Sequence, residues 1–180
     1  MLWGNNSLRT GADGEANSKV GLLRSKRKSG ALSEQVVLLP GFVFEADPKL
    51  GIGGTYSSPE NRLIEIDAKM AAAGDFTVLH INLSAKDISG QGVVGFALQG
   101  TAPEYVSIAA CLRSGTDDGF VDCFFDKHIL LQPDPSVHVD AMSLQHRVGI
   151  PTTAPWRQIV FFLPTEDFRL SVHDLRLFLV

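Results

Sequence analysis

Apolar and polar residues alternate with a period of two along most of the chain from residue 35 onward. In the segment 62–70, Ile64, Ile66 and Ala68 take one phase and charged residues take the other, and the segment 76–83 repeats the alternation. Successive side chains of a β-strand point to opposite faces, so this period predicts half-buried strands rather than long amphipathic helices.

The second half of the chain continues this pattern, with short apolar runs separated by turns rich in Gly, Pro, Asp and Ser. Strands are predicted there over 92–100, 105–114, 120–125, 128–131, 137–145, 157–163 and 168–180. With those of the first half they make about ten strands at short spacing, which predicts an all-β fold, an antiparallel β-sandwich or jelly roll.

The last predicted strand contains a change of phase. Apolar residues occupy even-numbered positions over 168–172 but odd-numbered positions over 175–179, and the change falls at His173 and Asp174. A strict period of two cannot hold through both sets, so the pattern predicts a β-bulge or a break there. Such a bulge either curves the sheet or re-aims a side chain at a site, and curvature is the commoner use.

The same C-terminal stretch resembles a known family of folds. APWRQIVFFLP followed by FRLSVHDLRLFLV, within residues 154–180, is similar to the closing strands of galactose-binding-like β-sandwiches. In those domains a late apolar strand precedes a last strand that returns to the core. The resemblance implies a jelly-roll sandwich, a fold used mostly to bind sugars, lipids or other proteins. It transfers no binding residue, because no family motif matches position by position, and a fold alone does not define function.

Charge divides the chain into two parts. Residues 1–30 hold six basic and two acidic residues, a net charge of +4. The whole chain has a net charge of −4, so the other 150 residues carry −8. This segment is rich in Gly, Asn and Ser, and residues 1–33 are therefore predicted to be a flexible or loosely docked basic arm beside a sandwich domain over 34–180. Its RSKRK cluster is suited to phosphate or an acidic protein surface, although such clusters are more often solvated tails.

Composition narrows the class of protein further. A chain of 180 residues with 44% hydrophobic and 20% charged residues fits one globular domain. No apolar run approaches the roughly 20 residues that span a membrane, and the first residues lack the order of a signal peptide. We therefore expect a cytoplasmic protein, or one released as part of an assembled particle. The acidic body disfavours nucleic acid as a partner, whereas a homo-oligomer remains open.

Catalytic motifs are absent from the sequence. It contains no GxSxG, HExxH or GxxxxGK[ST] pattern, and its alternating acidic residues are more typical of a solvated strand face than of a hydrolase cleft. His138 and Asp140 share a strand face, but zinc needs three or four converging ligands. No enzyme activity, metal ion or cofactor is therefore predicted.

The segment Asp117-Asp118-Gly119 is predicted to be a hairpin turn, although these carboxylates together with Asp122 could also bind calcium. The turn length controls where Cys111 and Cys123 lie. A five-residue loop over 115–119 places the two thiols opposite each other, whereas a four-residue loop over 115–118 sends them to opposite faces. The sequence does not choose between these registers.

Polar residues on the strand faces and one tryptophan remain as candidates for a binding site. A sugar site combines an aromatic ring, on which the apolar sugar face stacks, with polar groups for the hydroxyls. The tryptophan outside the predicted strands supplies the ring, although a place at the core edge is an alternative for it. The candidate ligand-binding residues are Trp156, Arg113, Asp122, His138, Asp140 and His173.

Two functions follow from these observations. The sequence favours a non-catalytic β-sandwich module that binds carbohydrate, such as a surface glycan or polysaccharide. The alternative is a structural or adhesive domain, a spike, fibre or coat subunit of a phage-like particle or surface assembly, in which the arm of residues 1–33 binds a neighbouring protein.

Overall fold

A computed structural model describes residues 14–180, with side chains from Ala16 onward. These residues form one α-helix, a short 3-10 helix over Pro48–Leu50, and 13 strands. The elements are α1 (Gly14–Lys26), β1 (Ser29–Ala31), β2 (Gln35–Leu39), β3 (Phe42–Ala46), β4 (Gly53–Ser57), β5 (Ile64–Lys69), β6 (Thr77–Leu83), β7 (Val93–Thr101), β8 (Val106–Thr116), β9 (Gly119–Phe124), β10 (Ile129–Leu131), β11 (Ser136–Ser143), β12 (Arg157–Phe162) and β13 (Phe168–Leu179).

The described strands form two antiparallel sheets. Sheet I has six strands in the order β1-β4-β5-β13-β7-β11. Sheet II has seven strands. Six follow the order β10-β8-β12-β6-β3-β2. The seventh, β9, pairs with residues 111–116 of β8, whereas β10 pairs with residues 106–108. The predicted all-β sandwich is confirmed. Its 13 described strands exceed the roughly ten that the sequence pattern predicts.

The core lies between the inner faces of the two sheets. Phe96 of sheet I meets Phe161 of sheet II edge to face, with ring centroids 5.2 Å apart, and it meets Phe125 in the same way at 5.0 Å. Edge-to-face contacts align the positive ring edge with the negative face of the neighbouring ring. Because side chains alternate along each strand, one face of each sheet lies in this core and the other face points outward.

The phase change in the last strand is a β-bulge. The pairing of β13 with β7 shifts register between Val172 and Asp174, which leaves His173 as the extra residue. The bulge returns Leu175 and Leu177 to the core after Val172, so apolar residues of both phases are buried. The prediction from sequence is confirmed at this position.

The predicted flexible arm needs correction for the residues that the structure describes. Ala16, Val20 and Leu23 recur at helical spacing on α1 and are buried in the main core, and residues 29–31 pair with β4 as β1. The helix contacts β13 of sheet I and both β6 and β2 of sheet II. Residues 1–13 of the predicted arm lie outside the described residues. The assembly role loses this motivation over 14–33 and stays a prediction.

Helix α1 also supplies a neighbour to the unpaired edge of β13. Strand β5 pairs only with the first part of β13, up to Val172. Beyond that point, the Asn17 amide donates to Leu177 O at 2.7 Å and its oxygen accepts from Leu177 N at 2.8 Å. Arg24 donates to His173 O at 2.5 Å. Buried or half-buried backbone groups need such partners, so the helix completes the hydrogen bonding of the strand.

The hairpin of β8 and β9 has a shorter loop than either register considered from sequence. Thr116 pairs with Gly119, which leaves a two-residue turn of Asp117 and Asp118. Cys111 therefore lies opposite Phe124, and Cys123 lies opposite Leu112, on the other face of the hairpin. Both cysteines are thiols, and burial raises the pKa of Cys111.

Among residues 14–180, no helix is long and apolar enough to cross a membrane.

Candidate binding face

The outer face of sheet II carries a row of polar side chains that crosses four strands. Asp122 of β9 lies opposite Arg113 of β8, Arg113 opposite Gln158 of β12, and Gln158 opposite Asn82 of β6. We call these four residues the polar row. Neighbouring strands lie about 4.8 Å apart, so the row spans about 14 Å at right angles to the strands.

The members of the polar row are held in two pairs. Arg113 donates Nε to Asp122 Oδ1 and Nη2 to Asp122 Oδ2, both at 2.7 Å, which is the bidentate geometry of a strong ion pair. These hydrogen bonds raise the pKa of Arg113. Gln158 donates Nε2 to Asn82 Oδ1 at 2.9 Å in an exposed contact. The second pair fixes one hydrogen bond of each amide and leaves Gln158 Oε1 and Asn82 Nδ2 available to a ligand.

Aromatic rings lie at one side of the polar row. The Phe120 ring lies over the Arg113 guanidinium, whose central carbon is 4.0 Å from the ring centroid, and 55% of Phe120 is exposed. Its centroid is 6.5 Å from that of Trp156, which is 39% exposed. A Cβ on Gly115 would come within 2.5 Å of the indole Nε1, so the glycine gives the indole room against β8.

A second pair of rings lies at the other side of the polar row. The rings of Phe124 and Phe162 are 5.4 Å apart, and 48% of Phe124 is exposed. With Phe120 and Trp156, these two residues and the polar row make up what we call the aromatic face. Beside these rings, Val78, Cys111 and Val160 form a buried cluster separate from the main core. The rings thus extend a small outer core and still keep exposed surface.

His80 lies on β6, at the edge of the aromatic face, between Val160 of β12 and Val43 of β3. Both ring nitrogens are buried without a hydrogen bond, and Nε2 is 3.5 Å from Glu45 Oε2. Burial lowers the pKa of His80, and Arg113 adds to this effect, whereas Glu45 opposes it. The imidazole is therefore neutral at neutral pH.

Arg157 anchors the segment that positions Trp156. Its side chain is buried in full, and Nη1 donates to Ser114 Oγ at 2.6 Å while Nη2 donates to Pro151 O at 2.6 Å. Burial lowers the pKa of Arg157. Trp156 O in turn accepts from Gly115 N at 3.0 Å. The backbone that carries the indole is therefore bound to β8 at Trp156 and at Arg157.

The structure brings together three of the six predicted site residues, Trp156, Arg113 and Asp122. The other three lie elsewhere. His138 contacts Ser136 Oγ at 3.0 Å and Leu130 O at 2.9 Å, between the edge strands of the two sheets. Asp140 is buried there and accepts from the amides of Lys127 and Ala141.

His173 is the bulged residue of sheet I, and its Nε2 lies 3.1 Å from Thr101 Oγ1. Burial lowers its pKa, and Arg62 adds to this effect while Glu65 opposes it. It is thus joined with neither the edge pair nor the aromatic face, so the six predicted residues do not form one site.

The calcium alternative finds no support in the arrangement of the hairpin. Asp117 and Asp118 form its turn, and Asp122 is bound by Arg113. Over residues 14–180, no three His, Cys, Asp or Glu side chains are placed to hold one metal ion.

Phe120, Phe124 and Phe162 were missed from sequence, together with the amide pair Gln158–Asn82. A usable signal existed for β9, where Phe120 and Phe124 share the phase of Asp122. None existed for β12, because Ile159, Val160, Phe161 and Phe162 are apolar in both phases. Such a run does not say which face is outward.

Neither a family model nor a curated protein sequence matches the chain. Solved structures resemble it in fold. A CBM4 protein has a TM-score of 0.50 at 9% sequence identity, with 86% of this chain and 79% of that chain covered.

Two other solved structures match with lower TM-scores. The CBM22-1 xylan-binding domain of Paenibacillus barcinonensis Xyn10C gives 0.49 at 6% identity, covering 84% and 85%. A family 11 carbohydrate-binding module from Clostridium thermocellum, in complex with a β-1,3-1,4-mixed-linked tetrasaccharide, gives 0.43 at 12%, covering 83% and 86%. The likeness rests on the CBM4 protein and places this chain in the class of β-sandwich folds that the galactose-binding-like resemblance predicted.

Proposed function

We propose that the protein is a non-catalytic β-sandwich module that binds a carbohydrate chain on the aromatic face. The observation that carries this proposal is the position of the polar row between two pairs of half-exposed aromatic rings. Monomeric proteins rarely leave several large rings exposed together, so such a surface marks an interaction site.

The chemistry of this face matches both surfaces of a sugar ring. The C–H groups of a sugar stack on an aromatic ring, while its hydroxyls need donors and acceptors at fixed positions. Phe120 and Trp156 supply the rings, and Gln158 and Asn82 supply an acceptor and a donor. The neutralised Arg113–Asp122 pair adds fixed polar atoms without a net charge, which suits a neutral glycan.

The direction of the row gives the direction of the ligand. A chain along the polar row runs across the strands, and about 14 Å of polar surface accommodates about three sugar rings. The CBM4 protein supports the proposal because its name marks a carbohydrate-binding class on the same kind of sandwich.

The test is direct binding by the full chain. A glycan array gives the ligand class, and titration calorimetry with xylotetraose and a β-1,3-1,4-mixed-linked tetrasaccharide gives affinities. Replacing Trp156→Ala or Phe120→Ala removes a stacking platform and should weaken binding about 10-fold or more, since 1.4 kcal/mol is one decade of affinity.

A matched control is Val137→Ala, which truncates an exposed apolar residue on β11 of the other sheet. It should leave affinity unchanged. An array without binding would overturn the proposed function. Binding that Trp156→Ala and Phe120→Ala leave intact would move the site away from the aromatic face.

A further inference from the structure

The opposite side of the sandwich carries a groove on the outer face of sheet I. By strand register, Thr55, Asp67 and Arg169 form one row, and Ser57, Glu65 and Ser171 form the next. These six residues are the floor of what we call the polar groove. A cavity of about 350 Å³ lies over the floor and reaches Thr101 and Pro103.

The groove continues past Arg169 into a second cavity. This cavity of about 430 Å³ shares Pro103 and Arg169 with the first and ends against Tyr105 and Phe168. Its wall is the connection between β7 and β8, where Tyr105 is 74% exposed. Ligand pockets start at roughly 300 Å³, so each cavity is large enough for a small ligand or a unit of a chain.

Polar atoms of the floor have unused hydrogen-bonding capacity. Asp67 Oδ1 is buried without a hydrogen bond, and since the side chain is 45% exposed, the carboxylate faces the groove through Oδ2. Arg169 Nε lies 3.9 Å from Asp67 Oδ2, which is beyond hydrogen-bond length. A hydroxyl group that bridges them from the solvent side would donate to Asp67 Oδ2 and accept from the Arg169 guanidinium.

The charges of the groove disfavour an anionic ligand. The described lining of the two cavities has five carboxylates and only two cations, Lys69 and Arg169; the carboxylates are Glu65, Asp67, Glu104, Glu166 and Asp167. Lys69 is bound to Asp167 at 3.0 Å. This balance repels phosphates and uronates, and no three metal-binding side chains converge in residues 14–180.

We infer that the polar groove is a second carbohydrate site, so that the module holds two glycan chains on opposite faces. Hydroxyls of the floor and the Asp67–Arg169 pair bind the sugar hydroxyls, and the Tyr105 ring stacks on a sugar face. The ligand class rests on the proposed function, whereas the location does not, since no residue of the groove belongs to the aromatic face.

The experiment maps both sites on the full ¹⁵N-labelled chain by amide chemical shifts. The probes are the mixed-linked tetrasaccharide and xylotetraose, raised to millimolar concentration. Two separate sets of shifts are expected, one around 78–82, 111–124 and 156–162, and one around 55–67, 101–105 and 167–171. Calorimetry should then give two chains bound per protein.

Paired variants separate the two proposals. Arg169→Gln with Tyr105→Ala should remove the second set and halve the stoichiometry, whereas Phe120→Ala with Trp156→Ala should remove the first set only. Arg176→Gln is the matched control, because Arg176 lies on the same strand and its side chain is 63% exposed, against 64% for Arg169.

Each outcome decides one of the proposals. Shifts confined to the aromatic face, with one chain bound, would overturn the second site and keep the proposed function. Shifts confined to the groove would overturn the aromatic face as the site and keep the groove. No shifts on either face would overturn both.

Discussion

The two outer faces of the sandwich solve the problem of contact with water in different ways. Around the polar groove, the outer face of sheet I carries polar and charged side chains, and its ion pair Arg169–Asp67 is long and solvated. The aromatic face of sheet II has its own buried cluster, and its Arg113–Asp122 pair is short, bidentate and mostly shielded.

The difference shows which face is not explained by folding and solvation alone. Charged residues that alternate on a strand are sufficiently explained by solvation, so the polar groove is inferred from its two cavities rather than from its charges. Exposed rings beside a shielded ion pair are not explained by solvation. The aromatic face should therefore depend on ring contacts, and the polar groove on hydrogen bonds to particular hydroxyls.

The largest effect on this comparison should come from Arg157, which anchors the aromatic face and has no counterpart in the polar groove. Arg157→Met leaves Ser114 Oγ and Pro151 O without their donor in a buried site. We expect a loss of about 2–4 kcal/mol in the free energy of unfolding. Urea denaturation measures it, and an unchanged midpoint would show that the guanidinium does not hold this segment.

A smaller effect is expected from Gly115→Ala, whose methyl group would collide with the Trp156 indole. The indole must move, which should cost about 1–3 kcal/mol and weaken glycan binding at the aromatic face. Tryptophan fluorescence and calorimetry report both changes. The control is Gly53→Ala on β4, where a Cβ meets nothing within 4 Å, so stability there should stay constant.

The two arginine–aspartate pairs allow the faces to be compared directly. Arg113→Gln breaks two hydrogen bonds of 2.7 Å in a pair that is only 19% exposed on each side, and should cost about 1–2 kcal/mol. Arg169→Gln should change stability by less than about 0.5 kcal/mol, because exposed pairs contribute little. Equal losses in thermal unfolding would mean that the two pairs are equally solvated.

The smallest effect concerns pH. Folding lowers the pKa of His80 below its usual 6.5, so the unfolded chain binds more protons than the folded protein in the range just below that value. Stability should therefore fall as the pH decreases from about 6.5, and His80→Gln should reduce this fall.

The comparison with the other face supplies the control for this pH dependence. His173, near the polar groove, has a pKa lowered by the same cause, but the imidazole of His80 is the more buried. His173→Gln should reduce the fall less than His80→Gln. Chemical denaturation at pH 7.5 and pH 5.5 tests both variants, and a larger share for His173 would contradict the assignment.

The fold was predictable where one phase of alternation is polar. Strand β5, with charges at every second position, and the bulge at His173 both follow from the period of two. Helix α1 was missed although Ala16, Val20 and Leu23 have helical spacing. Three apolar positions among many polar ones are a weak signal, and tertiary burial against both sheets decided the structure.

The candidate site was predictable only in part, because its geometry depends on registers that the sequence leaves open. Asp122 meets Arg113 only when the hairpin turn has two residues, and longer loops place another residue opposite Arg113. The polar row also needs β12 and β6 beside β8, a long-range pairing that no local pattern encodes. Trp156 was found because it stands alone outside the strands.

The contact of Asn17 with Leu177 has a consequence for self-association. The bare edge of a strand is a template on which another chain can add a strand, and long apolar edges promote aggregation. The C-terminal part of β13 is such an edge, and one amide side chain together with the helix that carries it occupies the place of a further strand. Helix α1 therefore protects the sandwich against edge-to-edge polymerisation, whatever ligands its two faces bind.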